Sequence, residues 1–138
     1  MITAPLLQEF VKRLCAEEEY EPVEGQWIFR SGGCCCRCTD SATKVAVAFS
    51  GRVVGYYSSE NRSAYIGNGC CEGHDFALIA DRFIVDYWAY RVAGLIYRPV
   101  LDLREPKHMD SARFFYGNEG FWNNISVVYQ ESLPNRTV

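Results

Sequence analysis

The chain has 138 residues, of which 49% are hydrophobic and 22% charged, with a formal net charge of −3. This is the usage of one ordinary globular domain, and it excludes a disordered tail, a collagen-like repeat and a coiled coil. The acidic balance argues against nucleic acid as a partner, which calls for a concentrated basic face, and the longest like-charge run is Glu17-Glu18-Glu19.

In chain order, residues 4–16 predict a helix, the main part of an N-terminal element over 1–19. Leu6, Leu7, Phe10, Val11 and Leu14 make one apolar stripe, Thr3 can cap it, and Pro5 sits in the first turn, where a missing N–H costs nothing. The segment has no basic leader region and does not read as a signal peptide. No window reaches the roughly eighteen uninterrupted apolar residues of a membrane span. Residues 20–37, with Pro22, Gly25, Gly32 and Gly33, read as a long loop around Trp27-Ile28-Phe29.

A second helix is predicted over 39–50, because Ala42, Val45, Ala46 and Phe49 fall on one face, with Gly51 as a left-handed terminator. Residues 53–58 read as a strand and 59–73 as a polar loop carrying Cys70-Cys71. Two apolar runs, 74–79 and 83–87, flank Ala80-Asp81-Arg82 and read as a hairpin. Beyond Trp88 the expectations are a strand over 95–103 broken by Pro99, a short helix over 110–116 and a last strand over 125–129. Trp27, Trp88 and Trp122 read as core, and His108 as an exposed loop residue. There is no internal repeat, and residues 1–138 read as a single domain.

Seven cysteines cannot pair completely within one chain. Together with the N-terminal reading, this points to a reducing compartment in which they serve as thiols, metal ligands or a nucleophile. A nucleophilic cysteine needs a stabilised thiolate, a base in reach, and a third group that orients the base. Cys38 stands just before the helix predicted from Thr39, where unpaired N–H groups favour negative charge and offer a seat for an oxyanion. His74 opens the first hairpin strand and Asp86 closes the second. Side chains alternate along a strand, so a three-residue connection puts Phe76 opposite Asp86 and leaves His74 and Asp86 on one face. A two-residue turn would put them on opposite faces.

Cys38-Thr39-Asp40-Ser41-Ala42 with Val45-Ala46 and Phe49, Gly51-Arg52-Val53-Val54-Gly55, Gly73-His74-Asp75-Phe76 and Phe83-Ile84-Val85-Asp86 together resemble the papain-like and transglutaminase-like superfamily. More narrowly, the pattern is similar to small papain-fold toxin, effector and deamidase domains of bacteria. The resemblance implies an α+β, papain-like fold, with a nucleophile-bearing helix packed on an antiparallel sheet and a catalytic core over 34–90. It implies a cysteine protease, glutamine deamidase or transglutaminase, with Cys38 as nucleophile, His74 as base and Asp86 as the orienting acid. An oxyanion hole would use the Cys38 N–H and Gln26, although the family places its glutamine closer to the nucleophile. No cofactor is implied. The partners implied are a protein substrate and an immunity or regulatory protein, with no nucleic acid and no membrane. The location implied is the cytoplasm, or a target cell reached without a classical signal peptide.

Cys34-Cys35-Cys36 is not part of that family pattern and leaves Cys36 as a second nucleophile candidate. Ala42, four residues after Cys38, favours Cys38 as the residue facing the sheet. Two other readings compete. Cys36, Cys38, Cys70 and His74 offer four ligands for tetrahedral zinc, though without the Cys-x-x-Cys knuckle that zinc prefers. A catalytically inactive papain-like binding domain is the other.

Overall fold

The structure, a computed structural model, describes residues 1–17, 31–67 and 72–125, with 31–37 as backbone only. Arg52–Tyr57 (β1), Gly73–Ile79 (β2), Phe83–Val85 (β3), Val100–Asp102 (β4) and Asn123–Asn124 (β5) form one antiparallel sheet. The strand order is β4-β3-β2-β1-β5, so β2 is central. Phe76, Ala77, Leu78 and Ile79 are all buried, which requires cover on both faces and explains an apolar run without alternation. The class is α+β.

The first helix, Ala4–Glu17 (α1), buries Leu7, Val11 and Leu14 from the expected stripe. The Thr3 hydroxyl accepts the Leu6 N–H at 3.3 Å, which fixes the helix start. Phe10 meets Phe49 edge to face at 5.1 Å, tying α1 to the end of the next helix.

That helix, Ser31–Ala48 (α2), lies against β2 and β1. It begins eight residues before the predicted start at 39, so Gly32 and Gly33 lie inside it instead of in a loop. Its end also differs from expectation. Ser50, not Gly51, takes the left-handed conformation (φ 52°), and the Gly51 N–H donates to the Ala46 carbonyl at 2.8 Å, satisfying an orphan helix carbonyl. Gly51 is needed for close approach, because a Cβ there would sit 2.9 Å from the Leu78 carbonyl oxygen.

β3 stops at Val85, shorter than the 83–87 run predicted, for a reason visible in the next residue. Asp86 Oδ1 accepts the Ala89 N–H at 3.0 Å, and the chain turns into a short π-helical segment, Trp88–Val92. β4 follows Pro99 directly, so the strand expected over 95–103 survives only in its second half. The last long helix, Pro106–Tyr116 (α3), starts four residues ahead of the expected 110. Pro106 occupies its first turn after an extended Glu105. His108 is therefore a half-buried helix residue, its Nδ1 accepting the Asp102 N–H at 2.9 Å, and not an exposed loop residue. A 3₁₀ turn, Glu119–Phe121, leads into β5, which precedes the strand expected over 125–129. Residues 126–129 of that expectation, Trp27 and most of the 20–37 loop lie outside the described residues.

Candidate functional site

The position of His74 follows from the sheet register. It is the second residue of β2 and pairs with Tyr56 of β1, while Ile79 pairs with Phe83 across the hairpin. The connection is thus Ala80-Asp81-Arg82, the length that puts His74 and Asp86 on one face. Ala80 and Asp81 both take positive φ, and the Arg82 N–H donates to the Ile79 carbonyl at 3.0 Å.

His74 Nε2 donates to Asp86 Oδ2 at 2.6 Å, with side chains only 1% and 3% exposed. The Cys38 thiol, on α2, hydrogen-bonds the same imidazole. Cys38, His74 and Asp86 therefore form one hydrogen-bonded row from three separate elements. The other nitrogen of the ring, Nδ1, is the one left for the sulfur. Burial pushes the His74 pKa down, but the charge and hydrogen bond of Asp86 outweigh it, helped by Cys38, and lift it to about 10. The imidazolium form is therefore favoured at neutral pH.

Aromatic rings enclose the imidazole. Trp88 lies 5.3 Å away between centroids, Tyr116 5.9 Å, Phe76 6.0 Å and Tyr56 6.3 Å. They exclude water from the His74–Asp86 contact, which strengthens it. Cys38 and His74 line a cavity of about 540 Å³ together with Thr39, Asp75, Tyr57 and Asn124, a size suited to a side chain or a short peptide segment. On its wall Thr39 Oγ1 donates to Asp75 Oδ2 at 2.6 Å. Burial pushes the Asp75 carboxyl up, and the Thr39 hydrogen bond opposes this.

One expectation about Cys38 does not hold. It is the eighth residue of α2, not the residue before its first turn, so its N–H belongs to the helical ladder. Neither the helix-terminus field nor the oxyanion seat assigned to the Cys38 N–H applies there. Gln26, the other oxyanion candidate, lies outside the described residues. Of the four zinc ligands considered, Cys38 and His74 are engaged with each other, Cys70 lies outside the described residues and the Cys36 side chain is not described. Among the described residues no group of three or more His, Cys, Asp or Glu side chains is arranged to hold a metal ion.

Compared with protein-family models, curated proteins and solved structures, the chain matches none. No helix among the described residues is long and apolar enough to cross a membrane.

Sequence reasoning missed several residues. Tyr116 Oη donates to Asp86 Oδ2 at 2.8 Å, from thirty residues further along the chain. Trp88 is a core residue, as its sequence setting suggests, and it also walls the imidazole. The Thr39–Asp75 pair had no local signal, although Thr39 and Asp75 each follow a site residue directly.

Proposed function

We propose that the protein is a thiol-dependent amide hydrolase or acyl transferase acting on a protein substrate, in the manner of the papain-like superfamily it resembles. The observation that carries this reading is the hydrogen-bonded row Cys38–His74–Asp86, opening at its sulfur end into a cavity. A buried imidazole with one nitrogen on a carboxylate and the other toward a thiol is arranged for proton transfer to and from sulfur.

The chemistry follows from the groups present. The Cys38 thiolate attacks the amide carbonyl carbon, forming a C–S bond and placing the electron pair on oxygen. When that pair returns, the C–N bond breaks and His74 gives its proton to the leaving nitrogen. A thioester remains on Cys38. Water or an amine then attacks the thioester, His74 takes the proton of the attacker, and the sulfur departs as thiolate. Asp86 holds the imidazole by Nε2 throughout. Protease, deamidase and transglutaminase chemistry share this acyl-enzyme and differ only in the amide attacked and the acceptor. A role as a bacterial effector or toxin domain, located as the resemblance implies, belongs to the same proposal.

The test is alkylation of the native protein by iodoacetamide at pH 6, read by peptide mass spectrometry. Fast modification confined to Cys38, and lost in His74→Ala, is expected. Uniformly slow labelling of all the cysteines would sink the reading.

A further inference from the structure

We propose that Tyr116 is a positioning residue of this site: its hydroxyl shares Asp86 Oδ2 with His74 and thereby sets how firmly the imidazole holds its proton. The proposal rests on the thiol-acyl-transfer reading above and deepens it.

Asp86 is 3% exposed, and its carboxylate meets three donors. Oδ1 takes the Ala89 N–H at 3.0 Å, while Oδ2 takes both His74 Nε2 at 2.6 Å and Tyr116 Oη at 2.8 Å. Packing does not require the hydroxyl. The Tyr116 ring lies 4.6 Å from Phe76 and 5.9 Å from His74, contacts that phenylalanine would also make. A fully buried hydroxyl is costly unless it is bonded, so a tyrosine here makes sense through the one bond it forms. Burial, and then the Asp86 charge, push the Tyr116 hydroxyl well above its ordinary pKa. It remains a donor over the whole working range of pH.

Each donor on a carboxylate oxygen draws off negative charge and weakens that oxygen as a base. With His74 alone on Oδ2, Asp86 would grip the imidazolium more tightly, and proton delivery to the leaving nitrogen would be slower. Other titratable groups lie around the ring without all facing it. Cys38 comes from α2, Tyr56 from β1, Asp75 from the next position of β2, and Asp86 from beyond β3. The Tyr56 hydroxyl is turned to the Ile66 carbonyl at 2.7 Å, and Asp75 Oδ2 is taken by Thr39. Tyr116 is thus the side chain that meets the same oxygen as His74.

The chain has only two histidines, so an NMR titration of ¹⁵N-histidine-labelled full-length protein resolves His74 directly. In Tyr116→Phe the His74 midpoint is expected to rise by roughly one pH unit, while Cys38 still reacts with iodoacetamide at pH 6. Trp122→Phe serves as the control. Trp122 packs on Phe76 and donates to the Tyr116 carbonyl at 2.9 Å, so its loss disturbs the same cluster and should leave the midpoint where it was. An unmoved midpoint in folded Tyr116→Phe would overturn the proposal. If that variant does not fold, the parent protein carries the test. The Tyr116 ¹³Cζ resonance should move with the His74 midpoint, and a flat trace overturns the proposal equally. Absence of selective Cys38 labelling in the parent protein would instead overturn the enzymatic reading, a failure distinguishable from the titration result.

Discussion

Ile79 and Phe83 pair across the β2–β3 hairpin, and this register decides that the histidine meets the acid. The register is held by a connection in which Ala80 and Asp81 both adopt left-handed backbone, with φ of 54° and 50°. Aspartate tolerates that conformation, whereas alanine has no side-chain compensation for it. Ala80→Gly should therefore stabilise the protein by about 0.5–1 kcal/mol, the steric relief exceeding the extra entropy glycine loses on folding. A higher urea midpoint at unchanged slope would register the gain. A lower midpoint would show that Ala80 is not strained.

Gly73 precedes His74 and lies opposite Tyr57. A Cβ at this position would collide with the Tyr56 carbonyl oxygen and sit 3.1 Å from the carbonyl carbon, both backbone atoms that no rotamer change can move aside. Gly73→Ala is expected to cost about 1–3 kcal/mol and to prise the start of β2 from β1 where the imidazole is anchored. Equilibrium unfolding measures the first effect. Slower iodoacetamide labelling of Cys38 at pH 6 measures the second.

The His74–Asp86 pair predicts a pH dependence of stability with a definite sign. The His74 pKa lies at about 10 in the folded protein against an ordinary 6.5, so the native state binds the extra proton between these values. The stabilisation is complete below pH 6.5 and is lost as the pH rises toward 10. Asp86→Asn removes the charge that opposes burial, so the imidazole should favour its neutral form. The alkaline loss attributable to His74 then disappears, and protonation of the buried ring destabilises the variant on the acid side instead. Denaturation midpoints across this range, compared between parent and variant, check both limbs.

What could be read from the chain, and what could not, divides by the range of the interactions. The α1 stripe, the β2–β3 hairpin and the shared face of His74 and Asp86 rest on periodicity and loop length, which are local, whereas the place of Cys38 beside them comes from the family resemblance. Gly32 and Gly33 look like helix breakers by propensity, at about 1 kcal/mol per glycine, yet the helical backbone of α2 runs through them. The end of β3 is hard to place from the sequence because Phe83-Ile84-Val85 continues into Tyr87 and Trp88. The Asp86 carboxylate takes the Ala89 N–H three residues on, a local cap-type signal that the continuous apolar run hides. Tyr116 was invisible as a site residue, since its partner is thirty positions away and its neighbours read only as a short helix.

At the far edge of the sheet, Arg82 grips Asp102 with two parallel hydrogen bonds, Nε to Oδ1 at 2.8 Å and Nη2 to Oδ2 at 2.7 Å. These hydrogen bonds, aided by the Arg104 N–H and opposed by burial, hold the Asp102 carboxyl at about 2, below its ordinary 3.8. A depressed acid contributes stability above 3.8 and loses it as the pH falls toward 2. The pair matters to the site through β3, because Phe83 faces Asp102 and the Asp86 N–H donates to the Pro99 carbonyl at 2.9 Å just before β4. Arg82→Gln should therefore flatten the part of the acid limb between pH 3.8 and 2 that Asp102 contributes. The effect at neutral pH should be small and weaken with salt, since the guanidinium is partly exposed. Urea midpoints of parent and variant at these pH values, with and without added salt, decide it. An acid limb unchanged in the variant would mean that other carboxylates, and not the β3–β4 clasp, set acid stability.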